Sequence, residues 1–302
     1  MNVPVSLFAR PHLAPDGDPR AYLEIARMAE RAGMHSILFG EHLVVGRDTS
    51  RYPYGPWIHH PDTAWYDPLI TMAAVSAVTT RLRLSTGVVL APLRPGLVLA
   101  KEVATLDVMS GGRVELGVGT GWQSEEYVGT GLAWRDRQRR FDEVIETCRT
   151  AWGDQPFAVS VDGQRVEDLT ALPRPVQPRI PIYYGVKADE ANAERIARLG
   201  DGWTPVGLGP DELRAGVARL AAAYERAGRD PASLVVRVSL PASHDRDGRV
   251  DPSRAFEHAE AYRQAGATSM MVSFAQRLSS LGEAEDIVFG AMAAARRAGL
   301  AP

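Results

Sequence analysis

The chain has 302 residues, 45% of them hydrophobic and 24% charged, with a formal net charge of -3. That length and apolar content suit one large α/β barrel or two modest domains around a well-buried core, and they exclude extensive disorder. The balanced charge, with Arg spread along helical segments among Asp and Glu, leaves no basic field for a nucleic-acid partner.

The single cysteine, Cys148, lies in a helical pattern from Arg140 to Trp152. One cysteine builds neither a disulfide framework nor a thiolate metal site, which fits a reducing cytoplasm. No stretch reaches the roughly 18 consecutive apolar residues of a membrane span, and Met1 to Arg10 has neither the basic nor the apolar region of a secretion signal.

In chain order, apolar β-branched segments alternate with amphipathic helical ones. The expected strands are Val3 to Ala9, Ser36 to Gly40, Leu82 to Leu90, Val114 to Val118, Ile182 to Gly185, Gly202 to Val206, Leu234 to Leu240 and Ser269 to Phe274. A helix follows each, so the expected fold is a (β/α)8 TIM barrel spanning 1–302 as one domain. A doubly wound sheet is the competing arrangement, because it shares the alternation.

Turn residues punctuate the same scheme. Asp18-Pro19, Asp67-Pro68, Gly209-Pro210 and Asp251-Pro252 read as helix starts, where proline loses no hydrogen bond. Gly33, Gly200, Gly266 and Gly299 read as helix ends in the left-handed conformation.

Two stretches break the rhythm, after the second and fourth strands. Residues 44–66 hold Tyr52, Tyr54, Trp57, His59, His60, Trp65 and Tyr66. That is too long for a plain connector, and a βα loop lies at the face where barrel active sites are built, so these aromatics can wall a pocket. The alternative is a loop packed on its own rings. Residues 153–179, rich in Pro, Asp and Gly, read as a cap or hairpin insertion.

Candidate chemistry begins with Glu41-His42 at the end of the second strand. Barrel geometry sends at least one of the pair into the mouth, and histidine is the side chain best suited to proton transfer near neutral pH. A structural histidine is the plain alternative. His12, His35, His244 and His258 read as loop or helix-surface positions. No His-x-His pair, no His-Glu-x-x-His and no Gly-x-Ser-x-Gly occurs where a metal or a nucleophile needs one, so no metal is expected.

Gly117-Val118-Gly119-Thr120-Gly121 follows the fourth strand, but Trp122-Gln123-Ser124-Glu125-Glu126 comes next in place of a dinucleotide fingerprint. Glycines there allow the backbone to approach a flat ring or a neighbouring strand.

These pieces together resemble the luciferase-like family. The resemblance is carried by Leu82-Arg83-Leu84-Ser85-Thr86-Gly87-Val88-Val89-Leu90-Ala91-Pro92, by the run from Leu106 to Trp122, by Arg137 to Glu143, by Pro173 to Pro178 and by Leu199-Gly200-Asp201-Gly202-Trp203. It covers about residues 1–210 well and the remainder only by its βα pattern.

Within the superfamily the chain is most similar to the oxidoreductases that use coenzyme F420, a deazaflavin, with FMN-dependent monooxygenases as near relatives. The resemblance implies hydride transfer between F420 and a small organic substrate. The alternatives are monooxygenation with reduced FMN supplied by a separate reductase, and a flavin-binding barrel without turnover. It also implies a homodimer.

As site residues it implies a non-prolyl cis peptide at Gly87-Val88 pressing on the cofactor ring, with His42 and Glu41 as catalytic candidates. Thr120, Gly121, Glu125, Gly185, Val186 and Lys187 would line the cofactor, and Trp57, His59 and Trp122 the substrate pocket. The family's Gly-Gly step at the cofactor phosphate reads Gly185-Val186 here, leading to a helix N-terminus that would offer N–H groups, with Lys187 adding charge. Glu41 stands where F420 enzymes frequently have aspartate. Trp122 stands where a sugar-phosphate dehydrogenase of the family has glutamate, which points away from that activity.

Overall fold

Strand and helix alternate along the whole chain. In the computed structural model, which describes residues 2–55, 57, 59–60, 62–161, 163–246, 249–273 and 278–301, the order begins β1 (Val5–Phe8), α1 (Ala21–Ala32), β2 (Ser36–Phe39), α2 (Pro68–Ser76), β3 (Arg83–Thr86), β4 (Val89–Leu90) and α3 (Gly96–Ser110). It continues with β5 (Val114–Gly119), α4 (Ser124–Gly129), α5 (Arg137–Trp152), β6 (Phe157–Val161), β7 (Gln164–Leu169) and β8 (Ile182–Tyr184). The last third supplies α6 (Glu190–Leu199), β9 (Gly202–Trp203), α7 (Pro210–Arg226), β10 (Val235–Ser239), α8 (Ala259–Gln264), β11 (Ser269–Ser273) and α9 (Leu281–Arg297).

The parallel segments are ordered β3-β2-β1-β11-β10-β9-β8-β5-β4, and β3 also pairs with β5, which closes the ring. β3 and β4 both pair with β5 and act as two pieces of one staggered strand, giving eight strand positions. The fold is a (β/α)8 barrel, and closure rules out the open doubly wound sheet. Every expected strand is present within a few residues of its expected bounds. The expected end at Phe274 lies outside the described residues, and β9 is only two residues long because its register with β8 and β10 covers Gly202 and Trp203 alone. Residues 153–179 contain the antiparallel β6–β7 hairpin.

Period-2 patterning divides each strand between two environments. Leu7, Ile37, Leu84, Leu116, Ile182, Val236 and Met270 join the helix faces in one buried apolar core. Each such side chain stabilises the fold by about 1.5–3 kcal/mol relative to exposure. The alternate residues turn inward, and in the lower barrel they are polar. Ser36 Oγ donates to Ser6 Oγ at 2.8 Å, Arg237 donates to Ser85 Oγ at 3.0 Å, and the Arg237 guanidinium lies 4.4 Å from the centre of the Tyr183 ring.

Helix ends follow the expected chemistry with three adjustments. Asp67 caps α2 by accepting the Ile70 N–H at 2.9 Å, and Gly209 precedes α7, but α1 begins three residues after Asp18, and Asp251 opens only a short 3-10 turn, Pro252–Arg254. Gly33, Gly266 and Gly299 are left-handed at φ 87°, 104° and 69°, whereas Gly200, expected to match them, is extended at φ -92°. Its constraint is space instead: a Cβ there would lie 2.9 Å from the Tyr184 ring.

Candidate active site

The C-terminal ends of the strands surround a cavity of about 820 Å³. A cavity of that size lies in the range of small-molecule and cofactor sites. Its walls come from β1 (Phe8), the β2 end (Gly40 to His42), the β3–β4 step (Gly87, Val88), the β5 end (Gly119 to Trp122) and the β8 end (Gly185 to Lys187).

The Gly87–Val88 peptide is cis, as the resemblance implied. Its side chain explains two glycines on neighbouring strands. A Cβ at Gly119 would sit 2.7 Å from Val88 Cγ2, and one at Gly185 would sit 2.7 Å from Val88 Cγ1. Both positions therefore have to be bare for Val88 to occupy the cavity floor, which gives their lack of side chains a steric reason.

His42 projects into the mouth with its side chain 9% exposed. Nδ1 lies 3.3 Å from Glu126 Oε1, and that oxygen also accepts the Leu43 N–H at 3.0 Å. A buried carboxylate on Nδ1 sets that nitrogen as the donor and leaves Nε2 as the basic one. Three tryptophans surround the imidazole: Trp65, Trp57 and Trp122 at centroid distances of 4.7, 5.5 and 6.1 Å. Trp57 also packs on Tyr52 and on His59, at 5.0 and 4.8 Å. Both sequence expectations for the 44–66 loop thus hold together, since its rings pack on one another and that packed layer is the pocket wall.

The other expected residues divide. Gly87, Val88, Thr120, Gly121, Gly185, Val186, Lys187, Trp57, His59 and Trp122 all line the cavity. The Glu41 carboxylate is turned into the wall, where Oε1 pairs with Arg94 at 2.6 Å and Oε2 accepts the Leu90 N–H at 2.6 Å. It lines the cavity but ties β4 to the β2 end, so both of its oxygens are already engaged within the chain. Glu125 is exposed on α4 and does not line the cavity, while its neighbour Glu126 is the carboxylate buried against His42.

The α6 N-terminus, expected to offer N–H groups, is capped by the chain itself: Asp189 accepts the Asn192 N–H at 2.9 Å. That carboxylate weakens the helix end as an anion site. Lys187 remains as an exposed cation at the cavity edge, where a second cavity of about 770 Å³ adjoins the first and shares Tyr54, Val186, Lys187 and Pro205 with it.

Sequence reading passed over Glu126, Arg10 and Phe8, and named Trp65 only as one of the loop aromatics. The strand-end rule that selected His42 applies equally to Phe8 and Arg10 at the end of β1.

The chain is thus a closed (β/α)8 barrel with an aromatic-walled cavity, floored by Val88, at the C-terminal ends of its strands. The model of the family described as luciferase-like monooxygenase matches residues 1–299, and the chain belongs to that family. An uncharacterized protein of Mycobacterium tuberculosis is 34% identical over 74% of this chain and 80% of its own length. A protein of Beutenbergia cavernae named F420-dependent glucose-6-phosphate dehydrogenase is 33% identical over 76% of this chain and 66% of its own.

Among solved structures, an F420-dependent secondary alcohol dehydrogenase in complex with an F420-acetone adduct superposes with a TM-score of 0.79, at 19% identity and 97% and 99% coverage of the two chains. The monooxygenase RslO1 from Streptomyces bottropensis superposes at 0.77, with 21% identity and 98% and 99% coverage. At these identities the structures establish the shared fold. Among the described residues no helix is long and apolar enough to cross a membrane.

Proposed function

We propose that this chain is an F420-dependent oxidoreductase that transfers a hydride between the deazaflavin and a small organic substrate. The observation that carries the reading is the Val88 floor, framed by Gly119 and Gly185, in the same cavity as a histidine that is buried, carboxylate-paired and ringed by tryptophan. The fit to a planar tricycle rests on that floor, on the cavity volume, and on the Trp122 Nε1, a buried donor with no partner among the described residues. The F420-dependent relative favours the deazaflavin over FMN.

Bound there, F420 supplies a carbon that gives or takes a hydride. The chain does the rest. Val88, Thr120, Gly121, Gly185, Val186 and Lys187 hold the cofactor, and the adjoining cavity leaves room for its side chain. Trp57, Trp65 and Trp122 exclude water from the imidazole. Glu126 fixes the ring orientation of His42, so that Nε2 accepts or returns the proton that accompanies the hydride.

A second reading, reduced-FMN monooxygenation, is favoured by the family description and shares every one of these residues. Oxygen uptake separates them. The hydride-transfer reading expects turnover of substrate under anaerobic conditions with no oxygen consumed; product formation that requires oxygen in proportion would replace it by the monooxygenase.

A further inference from the structure

The described carboxylates that line the cavity are already engaged: Glu41 pairs with Arg94, and Asp189 caps α6. Arg10, which lines the same cavity from the end of β1, has no such partner. Its Nε donates to Ser273 Oγ at 2.6 Å, which fixes the plane of the guanidinium. Its two terminal nitrogens have neither a hydrogen-bond nor an ion-pair partner among the described residues, and neither is among the polar atoms sealed from solvent.

A half-buried cation without a counter-charge is costly, and a guanidinium held at one edge presents its other edge as a two-pronged donor suited to a carboxylate. The surroundings are apolar. The guanidinium lies 5.3 Å from the centre of the Phe8 ring, and Phe8, Met271, Tyr52 and Trp57 share the cavity wall with it. Burial pulls the Arg10 pKa below its ordinary value, with the Tyr52 phenol acting against that shift.

We propose that Arg10 is the substrate-recognition residue of this cavity and that the substrate is a small carboxylate with an apolar body, its acid group on Arg10 and its body against Phe8, Tyr52 and Trp57. The assignment rests on the reading of this cavity as the substrate site. Ser273 and Arg10 then act as a pair, the serine orienting the guanidinium and the guanidinium selecting the anion. Neutral alcohols, amides and alkanes of the same shape are poor ligands on this account, because they leave the cation unpaired.

The same anionic group could belong to substrate or to cofactor, and the test distinguishes them. Benzoate and its neutral isostere benzamide are titrated against the protein with and without F420, with quenching of tryptophan fluorescence as a readout that does not need turnover. The expected result is at least about tenfold tighter binding of benzoate, a preference lost in Arg10→Gln and partly kept in Arg10→Lys, while F420 affinity stays within about twofold. Equal binding of benzoate and benzamide to the wild-type protein overturns the proposal, as does a preference that survives in Arg10→Gln.

If Arg10→Gln instead loses F420 affinity by tenfold or more, the guanidinium serves the cofactor and the substrate assignment falls. If the Arg10 variants do not fold, Lys187→Gln keeps the test decisive without F420: the benzoate preference should survive in it, and its loss would assign the anion to Lys187 and overturn the proposal. Failure of F420 to bind at all overturns the proposed function and leaves the carboxylate preference measurable on the protein alone.

Discussion

The lower and upper ends of the barrel interior handle the same kinds of side chain in opposite ways. At the lower end Glu115, fully buried, is held by Arg83 at 2.7 Å, by His35 at 3.1 Å and by Arg237. Gln177 then joins the group, accepting from Arg83 at 2.9 Å and donating to Asp107 at 2.7 Å. Among the described residues at the upper end, the cation Arg10 has no acid partner, His42 has one carboxylate, and Trp122 Nε1 and Gln123 Nε2 are buried without hydrogen bonds. The lower end pairs its buried acid with cations of the same chain, although Arg237 Nε is itself buried there without a partner, whereas the upper end leaves a whole cation without a counter-charge among the described residues. The uncompensated charge of Arg10 is what distinguishes the upper end, since a charged group taken out of water ordinarily has a partner.

The contrast breaks most visibly at His42. His42→Ala removes the proton partner from the open end and is expected to cut turnover by about 10²- to 10⁴-fold while leaving F420 affinity nearly unchanged. Steady-state kinetics beside a cofactor titration checks it, and unchanged turnover removes His42 from the mechanism.

At the lower end, Glu115→Gln leaves Arg83 and Arg237 without their counter-charge. A loss of about 3–5 kcal/mol in urea unfolding is expected, with cofactor affinity little altered in the protein that remains folded. The pH dependence has a defined sign. Burial opposes the charged form of Glu115, but Arg237, His35 and Arg83 together hold its carboxyl well below the usual carboxylate range. A group depressed in the folded state contributes stability above its unfolded value, roughly pH 4.3, and loses it as pH falls through the folded value. Acid unfolding of the wild type should therefore be steeper than that of Glu115→Gln.

A smaller effect is expected at the cavity floor. Gly185→Ala puts a methyl against Val88, and the displacement should cost about 1–3 kcal/mol of stability together with weaker cofactor binding. The finest comparison is between neighbours on α4. Glu126→Gln should change the pH profile of kcat through His42, and Glu125→Gln should change nothing measurable in the same assay.

How much of this the sequence carried depends on the length scale of the signal. Strand and helix order was legible because apolar period and turn residues repeat over dozens of residues, as at Asp67-Pro68 and Gly209-Pro210. The aromatic wall was legible as a composition anomaly in a βα loop. Choices that turn on a single residue were not. Glu125 and Glu126 differ by one position on a six-residue helix, too short for periodicity to decide which faces inward.

Glu41 and His42 likewise alternate at a strand end, and only the partner Arg94, about fifty residues on, explains why the glutamate turns to the wall. Gly119 reads in the sequence as room for a ring or a strand and Gly185 as part of a phosphate step, and the nearest thing both make room for is Val88. That reason is tertiary, since the three residues come from three neighbouring strands.

A deazaflavin at the open end of the barrel is the proposal on which the other predictions depend. Fluorescence titration of the purified protein with F420 and with FMN, each oxidised and reduced, tests it most directly. Saturable binding with F420 preferred by at least about tenfold is expected; tighter binding of FMN, or binding of neither, would overturn the deazaflavin reading.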